Sequence, residues 1–210
     1  MEFDEFSCVD CYKVTCDNQN FPYPKGCNTE KYAQIVDEAV ELFTKDEQNK
    51  KLAIAAAQVE GNFYGKKTRV EETLIFAEKI GAKKIGIATC AGTIREARTF
   101  VKILRKAGFE AVGAACKVGN KDKTLIGIED CDKVHPGNYE PMCNPILQAK
   151  ILNAEKTDLN VMMGLCVGHD SLFIKYSEAP VTVLFTKDRV TGHNAVQPLY
   201  LTESYYKRLV

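Results

Sequence analysis

Between residues 30 and 43 the apolar positions recur at three- and four-residue intervals. Tyr32, Ile35, Val36, Ala39, Val40 and Phe43 fall on one stripe of a helix. The same period predicts a second helix over 51–59. A third covers 69–80, and Gly81 supplies its stop. The pattern then changes to short apolar runs between helices. Residues 84–89 read as a buried strand, 93–107 as an amphipathic helix closed by Gly108, and 110–115 as the next strand. Residues 117–142 carry no regular period beyond a short apolar piece at 125–128. Residues 144–154 are helical, with Pro145 at an early position where its missing N–H costs little. A strand at 160–165, a short helix at 168–176 and a strand at 181–186 follow, then a polar loop and a C-terminal segment. Strands alternating with helices predict an α/β fold: a mostly parallel sheet, doubly wound and Rossmann-like, with helices on both faces.

Residues 1–29 follow neither period. They carry Cys8, Cys11, Cys16 and Cys27 in the spacing C-x2-C-x4-C-x10-C, with prolines and turn formers between. Such a segment has no core of its own, so something else should fold it. The chain therefore divides into a cysteine-rich metal-binding segment, 1–29, and an α/β domain with a helical lead-in, 30–210. A C-x2-C pair presents two thiolates from a tight turn. Two further cysteines complete a tetrahedron for zinc or the four corners of an iron–sulfur cubane. The competing reading, free thiols on a loose tail, is disfavoured by the reactivity of exposed thiols.

Composition narrows the function classes. The chain has 210 residues, 45% of them hydrophobic, and 28 Lys plus Arg against 28 Asp plus Glu. No global basic field exists to hold nucleic acid or an anionic membrane. Residues 1–7 are acidic and lack the order of a signal peptide. The longest apolar runs, such as 52–57, are too short to span a bilayer. The expectation is a cytoplasmic protein without nucleic-acid or membrane partners. In that reducing compartment, nine cysteines point to metal or redox chemistry rather than disulfides.

A second cysteine group is spread along the domain, and its placement is informative. Cys90, Cys116 and Cys166 each follow a predicted parallel strand at its carboxyl end. Open α/β sheets hold ligands at that edge, where the strand order reverses. Cys143 stands just before the 144–154 helix, where backbone N–H groups favour a thiolate. One strand-end cysteine would be an ordinary buried residue. Three at equivalent ends, with a fourth at a helix start, predict one shared site. Cys131 lies in the acidic run 129–132 and reads as a bystander. The run 89–93, Thr-Cys-Ala-Gly-Thr, has the form of an anion-binding turn before a helix. The lysines at 117, 121 and 123 read as a solvated loop.

His169 and Asp170 follow Cys166 at a helix start, and Lys187, Asp188, Arg189 and His193 lie in the loop after the last strand. Asp170 also reads as a simple first-turn acid, and the loop as solvated surface. His169 and Lys187 are the residues expected to do acid–base or orienting work beside a centre held by the cysteines.

The run from Glu140-Pro141-Met142-Cys143-Asn144-Pro145, through Thr157-Asp158-Leu159-Asn160 and Gly164-Leu165-Cys166-Val167-Gly168-His169-Asp170, resembles a bacterial and archaeal family. So do Ala179-Pro180-Val181-Thr182-Val183 and Lys187-Asp188-Arg189-Val190. The family is the domain of unknown function 1847, predicted metal-binding proteins common in anaerobes. One departure is Gly26-Cys27-Asn28, where the family pattern carries Asn-Cys-Pro. The resemblance implies metal binding and supplies no reaction.

Two functional expectations follow. The first is a protein holding 4Fe-4S iron–sulfur clusters, with zinc as the alternative at the N-terminal site. It would perform redox or cluster-based chemistry on a small-molecule substrate or with a redox partner protein. The second is a non-enzymatic, zinc-stabilised module that binds or senses a small molecule or metal.

Overall fold

The computed structural model describes residues 7–18 and 21–210, which fall into two compact units, Met1–Asn62 and Phe63–Val210. The first unit begins with a single 3-10 turn, Cys8–Asp10, in which Asp10 accepts the Ser7 N–H at 3.0 Å. Four helices follow: α1 (Thr15–Asn18), α2 (Asn28–Lys31), α3 (Ala33–Lys45) and α4 (Glu47–Phe63). The apolar stripe read from the sequence lies on α3 from Ile35 onward, Tyr32 standing at the break between α2 and α3, yet α3 has no buried residue. The second predicted helix starts earlier than its apolar period, because the Asp46 carboxylate accepts the Asn49 N–H at 2.8 Å.

The second unit contains the sheet. Helix α5 (Arg69–Lys79) opens on a capping box: Thr68 accepts the Glu71 N–H, and Glu71 accepts that of Thr68 at 2.9 Å. Then come β1 (Lys84–Thr89), α6 (Ile94–Lys106), β2 (Glu110–Ala115), α7 (Pro145–Ala154), β3 (Leu159–Met163), α8 (His169–Tyr176), β4 (Val181–Phe185) and α9 (Gln197–Tyr200). The four strands form one parallel sheet in the order β2-β1-β3-β4. The chain leaves β1 for β2 on one side and returns to β3 on the other. The order therefore reverses at β1 and β3, the position where such sheets open a crevice at their carboxyl edge.

Strands β1 and β3 are buried at successive positions, including Ile87, Ala88, Val161 and Met162. Successive side chains point to opposite faces, so both faces of the central pair are covered. On one face Ala88, Ala114 and Met162 pack with Ala149 and Leu152 of α7 and Phe173 of α8. Helix α6 buries Ala97, Phe100 and Leu104 and lies against β1 and β2. No helix among the described residues is long and apolar enough to cross a membrane.

Strands β1 and β2 match the sequence pattern residue for residue, whereas β3 differs. It runs from Leu159 and stops at Met163, because Gly164 turns the chain at φ +63°. A Cβ on Gly164 would stand 2.8 Å from the Thr93 hydroxyl and 2.9 Å from the Phe185 ring. Cys166 therefore sits on a turn beyond the strand. Gly164→Ala combines a disfavoured backbone with a buried clash. It should lower stability by about 2 kcal/mol, read as a shift of the denaturation midpoint.

Candidate metal centre

The backbone ladder continues past the strand ends and fixes the loops that bear the cysteines. The Cys90 N–H donates to Met163 O at 3.3 Å, and the Cys116 N–H to Thr89 O at 2.8 Å. The Asn144 N–H donates to Cys116 O at 2.7 Å and brings Cys143 alongside. The Lys187 N–H donates to Leu165 O at 3.0 Å, and the His169 N–H to Cys166 O at 3.0 Å. Two buried side chains brace this edge. Gln148 of α7 donates through Nε2 to Thr89 O at 3.1 Å and Ala114 O at 2.6 Å. Thr93, fully buried, has its hydroxyl 3.2 Å from Cys90 O and 3.3 Å from Met163 O.

These constraints bring Cys90, Cys116 and Cys143 together. Cys116 is the hub, with its thiol in hydrogen-bonding range of both other sulfurs. The Ala91 N–H donates to the Cys116 sulfur at 3.2 Å, and the Gly92 N–H to the Cys90 sulfur at 3.4 Å. The turn at 89–93 thus directs its N–H groups at sulfur. Cys166 is held from the other side, where Nη2 of Arg189 donates to its sulfur at 3.3 Å.

The electrostatics follow from these contacts. The Cys90 thiol is lowered to about 5, first by the hydrogen bond from Cys116, with the Gly92 N–H and Lys187 adding to it against burial. Cys143 is lowered to about 6, again first by Cys116, then by Lys117 and His169. Cys116 is raised, because it keeps its proton between two thiolates and is buried. Arg189 is raised by the Cys166 sulfur first and more weakly by Cys90 and Cys143. Arg189 thus feels three of these sulfurs, while Cys116 between them meets no cation of its own.

In metal-free protein the half-buried Cys143 should be alkylated by iodoacetamide at pH 7 nearly as fast as at pH 8. A free thiol would slow almost tenfold over that unit. Peptide mapping of the label at each pH reads this directly. A tenfold drop for Cys143 would contradict the thiolate assignment.

The structure thus brings together three of the four cysteines named from the sequence, Cys90, Cys116 and Cys143, with His169 near Cys143 and Lys187 near Cys90; Cys166 is related to them only through Arg189, whose charge acts on Cys166, Cys90 and Cys143. Lys117 is not a merely solvated lysine. It acts on Cys143, and its ammonium donates to Pro141 O. His193 is structural: its Nδ1 accepts the Asp188 N–H at 3.1 Å, and its ring packs 5.4 Å from that of Phe185. Cys131 is exposed, and its thiol donates to Glu129 at 3.8 Å.

In the first unit Cys8 and Cys11 close one turn, the Cys11 N–H donating to Cys8 O at 3.3 Å. Asn28, next to Cys27, donates to the Cys8 sulfur at 3.3 Å, while Cys16 is exposed. Among the described residues, no three His, Cys, Asp or Glu side chains already stand around one point as a bound ion would hold them.

The fold and site define a parallel α/β protein with a group of thiols at the carboxyl edge of its sheet. The chain belongs to the DUF1847 family of proteins of unknown function, whose model matches residues 27–184. That range takes in Cys27 and all four crevice cysteines and ends before Lys187 and Arg189. The chain is 42% identical over 203 residues to the uncharacterized protein MJ0455 of Methanocaldococcus jannaschii, covering 97% of each chain. No solved structure matches it.

Proposed function

We propose that this is a metal-binding protein whose crevice holds a centre through Cys90, Cys116, Cys143 and Cys166, on a sheet read as doubly wound and Rossmann-like. The centre assigned is a 4Fe-4S cluster, with a second metal, iron–sulfur or zinc, held by Cys8, Cys11, Cys16 and Cys27. The observation that carries the reading is the contact of Cys116 with both Cys90 and Cys143, all three being free thiols. Thiols on three separate loops suit a cubane, whose four corners span more space than one ion does. Thiolates with lowered proton affinity are the species that ligate metal. The N–H groups of Ala91 and Gly92 would bond cluster sulfurs, a contact that tunes the potential of such centres.

With all four thiolates bound, the cluster would supply electron transfer; a Lewis-acidic iron would be available only at a corner that one cysteine leaves free. His169, beside Cys143, is assigned to accept or relay a proton, and Lys187, beside Cys90, to orient an anionic group. Protein purified without oxygen should be brown, with a broad visible charge-transfer absorption that bleaches with dithionite. Colourless protein holding zinc would sink the iron–sulfur assignment in favour of a zinc-stabilised module.

The N-terminal segment is folded by its metal in this account, since 8–27 has only one buried residue among those described, Thr15. Cys11→Ser should leave residues 1–29 open to limited proteolysis while the α/β unit survives. Equal resistance in variant and parent would refute this.

A further inference from the structure

We propose that Cys143 and Cys116 are a dithiol–disulfide exchange pair that reduces small organic disulfides, with Cys143 as the attacking thiol and Cys116 as the resolving thiol behind it. The proposal goes beyond the metal reading and does not rest on it. It concerns the free thiols, and a metal held by the same sulfurs would block the exchange.

Access and contact assign the two roles. Cys116 is 3% exposed and Cys90 8%, whereas Cys143 is only partly buried. A molecule arriving from solution therefore meets Cys143 first, and exchange depends on the access of the attacking thiol. The resolving thiol must be shielded from that molecule and yet touch the attacking sulfur. Cys116 meets both conditions, being buried and in hydrogen-bonding range of the Cys143 sulfur. Backbone bonds hold the pair in place. The Asn144 N–H donates to Cys116 O and the Met142 N–H to Lys121 O, both at 2.7 Å, so Cys143 is tied on either side. The Cys116 N–H donates to Thr89 O at 2.8 Å, and its sulfur accepts the Ala91 N–H at 3.2 Å. Two thiols brought together in this way avoid most of the closure entropy that a mobile pair 27 residues apart would meet.

The exchange runs in two steps. The Cys143 thiolate attacks one sulfur of the small disulfide, forms a mixed disulfide, and releases the other half as a thiolate that takes a proton from water. Cys116 then gives up its proton and attacks the Cys143 sulfur. The Cys116–Cys143 disulfide forms, and the second half of the substrate leaves with that proton. Two protein thiols are oxidised to one disulfide, and the substrate disulfide is reduced to two thiols.

The test treats the full chain, freed of metal by a chelator without oxygen, with bis(2-hydroxyethyl) disulfide, and stops samples in acid at intervals. Cys90, Cys116 and Cys143 lie on separate tryptic peptides, which follow Lys84, Lys106 and Lys133. Mass spectrometry without reduction therefore reads each species. In the parent, a mercaptoethanol adduct on Cys143 should appear first and convert to the Cys116–Cys143 crosslink. Cys116→Ser should stop at the adduct, and Cys90→Ser should still give the crosslink. Cys143→Ser should slow the reaction of Cys90 and Cys116 by about tenfold or more, since both are buried. The parent alone can overturn the proposal: by an adduct on Cys143 that never resolves, by a first adduct on Cys90 or Cys116, by Cys143 crosslinked to any other cysteine, or by no reaction at Cys143. Metal content before chelation is measured on the same sample and bears on the metal reading alone.

Discussion

Cys116→Ser should strip the crevice of its metal while leaving the fold intact. Cys116 is the sulfur in contact with both Cys90 and Cys143, so its loss removes a ligand and the contact that holds the other two thiolates. Serine is nearly the same size, and the Ala91 N–H that now donates to the sulfur at 3.2 Å can donate to a hydroxyl. The backbone bonds from Cys116 to Thr89 O and from Asn144 to Cys116 O do not involve the side chain. Affinity for the centre should drop by more than the ~100-fold typical of removing an outer-shell partner. In practice one full centre per chain should be lost on gel filtration. Cys90→Ser and Cys166→Ser should behave alike, and Cys131→Ser should lose nothing. Loss of metal from Cys131→Ser, or full retention in the other three, would overturn the ligand set.

Gly86→Ala should be the most damaging small substitution in the sheet. Gly86 lies on β1 where a Cβ would stand 2.1 Å from Asn160 Oδ1, 2.9 Å from Leu152 and 3.0 Å from Thr157. Asn160 cannot swing aside. It is fully buried, its Oδ1 accepts the Thr157 hydroxyl at 2.7 Å, and its Nδ2 donates to Ser177 Oγ at 2.6 Å. The methyl group must either push β1 from β3 or break this buried network, at a cost of about 3 kcal/mol. Gly113 on β2 is the control. A Cβ there meets nothing closer than Ile87 O at 3.7 Å, so Gly113→Ala should change stability by no more than about 1 kcal/mol. Urea denaturation of both variants compares them. Equal midpoints would show that Asn160 is free to move.

The same residues explain what the sequence revealed. Strands β1 and β2 were legible to the residue because turns bound them and no competing local bond shifts their ends. The end of β3 was not, because the apolar run through Leu165 conceals that Gly164 turns at positive φ. The crevice cysteines could be grouped because a parallel sheet delivers every strand end to one edge. Lys117 was missed for a non-local reason: the loop after it returns through the Asp122–Pro141 bridge to offer Pro141 O to its ammonium. Gln148 was missed because an interior helical glutamine carries no local sign that its amide will tie Thr89 to Ala114. The turn at 89–93 was visible as a cradle of N–H groups, but only the fold shows that the anions it faces are the protein's own sulfurs.

The central claim is that the crevice is a metal centre in its own right. It is tested most directly on the full chain carrying Cys8→Ser, Cys11→Ser, Cys16→Ser and Cys27→Ser, which leaves the crevice as the only cysteine group. Iron, zinc and acid-labile sulfide are measured per chain after anaerobic purification and reconstitution. The account predicts about four iron and four sulfide per chain, lost on adding Cys116→Ser. A folded variant that holds neither iron nor zinc would contradict it.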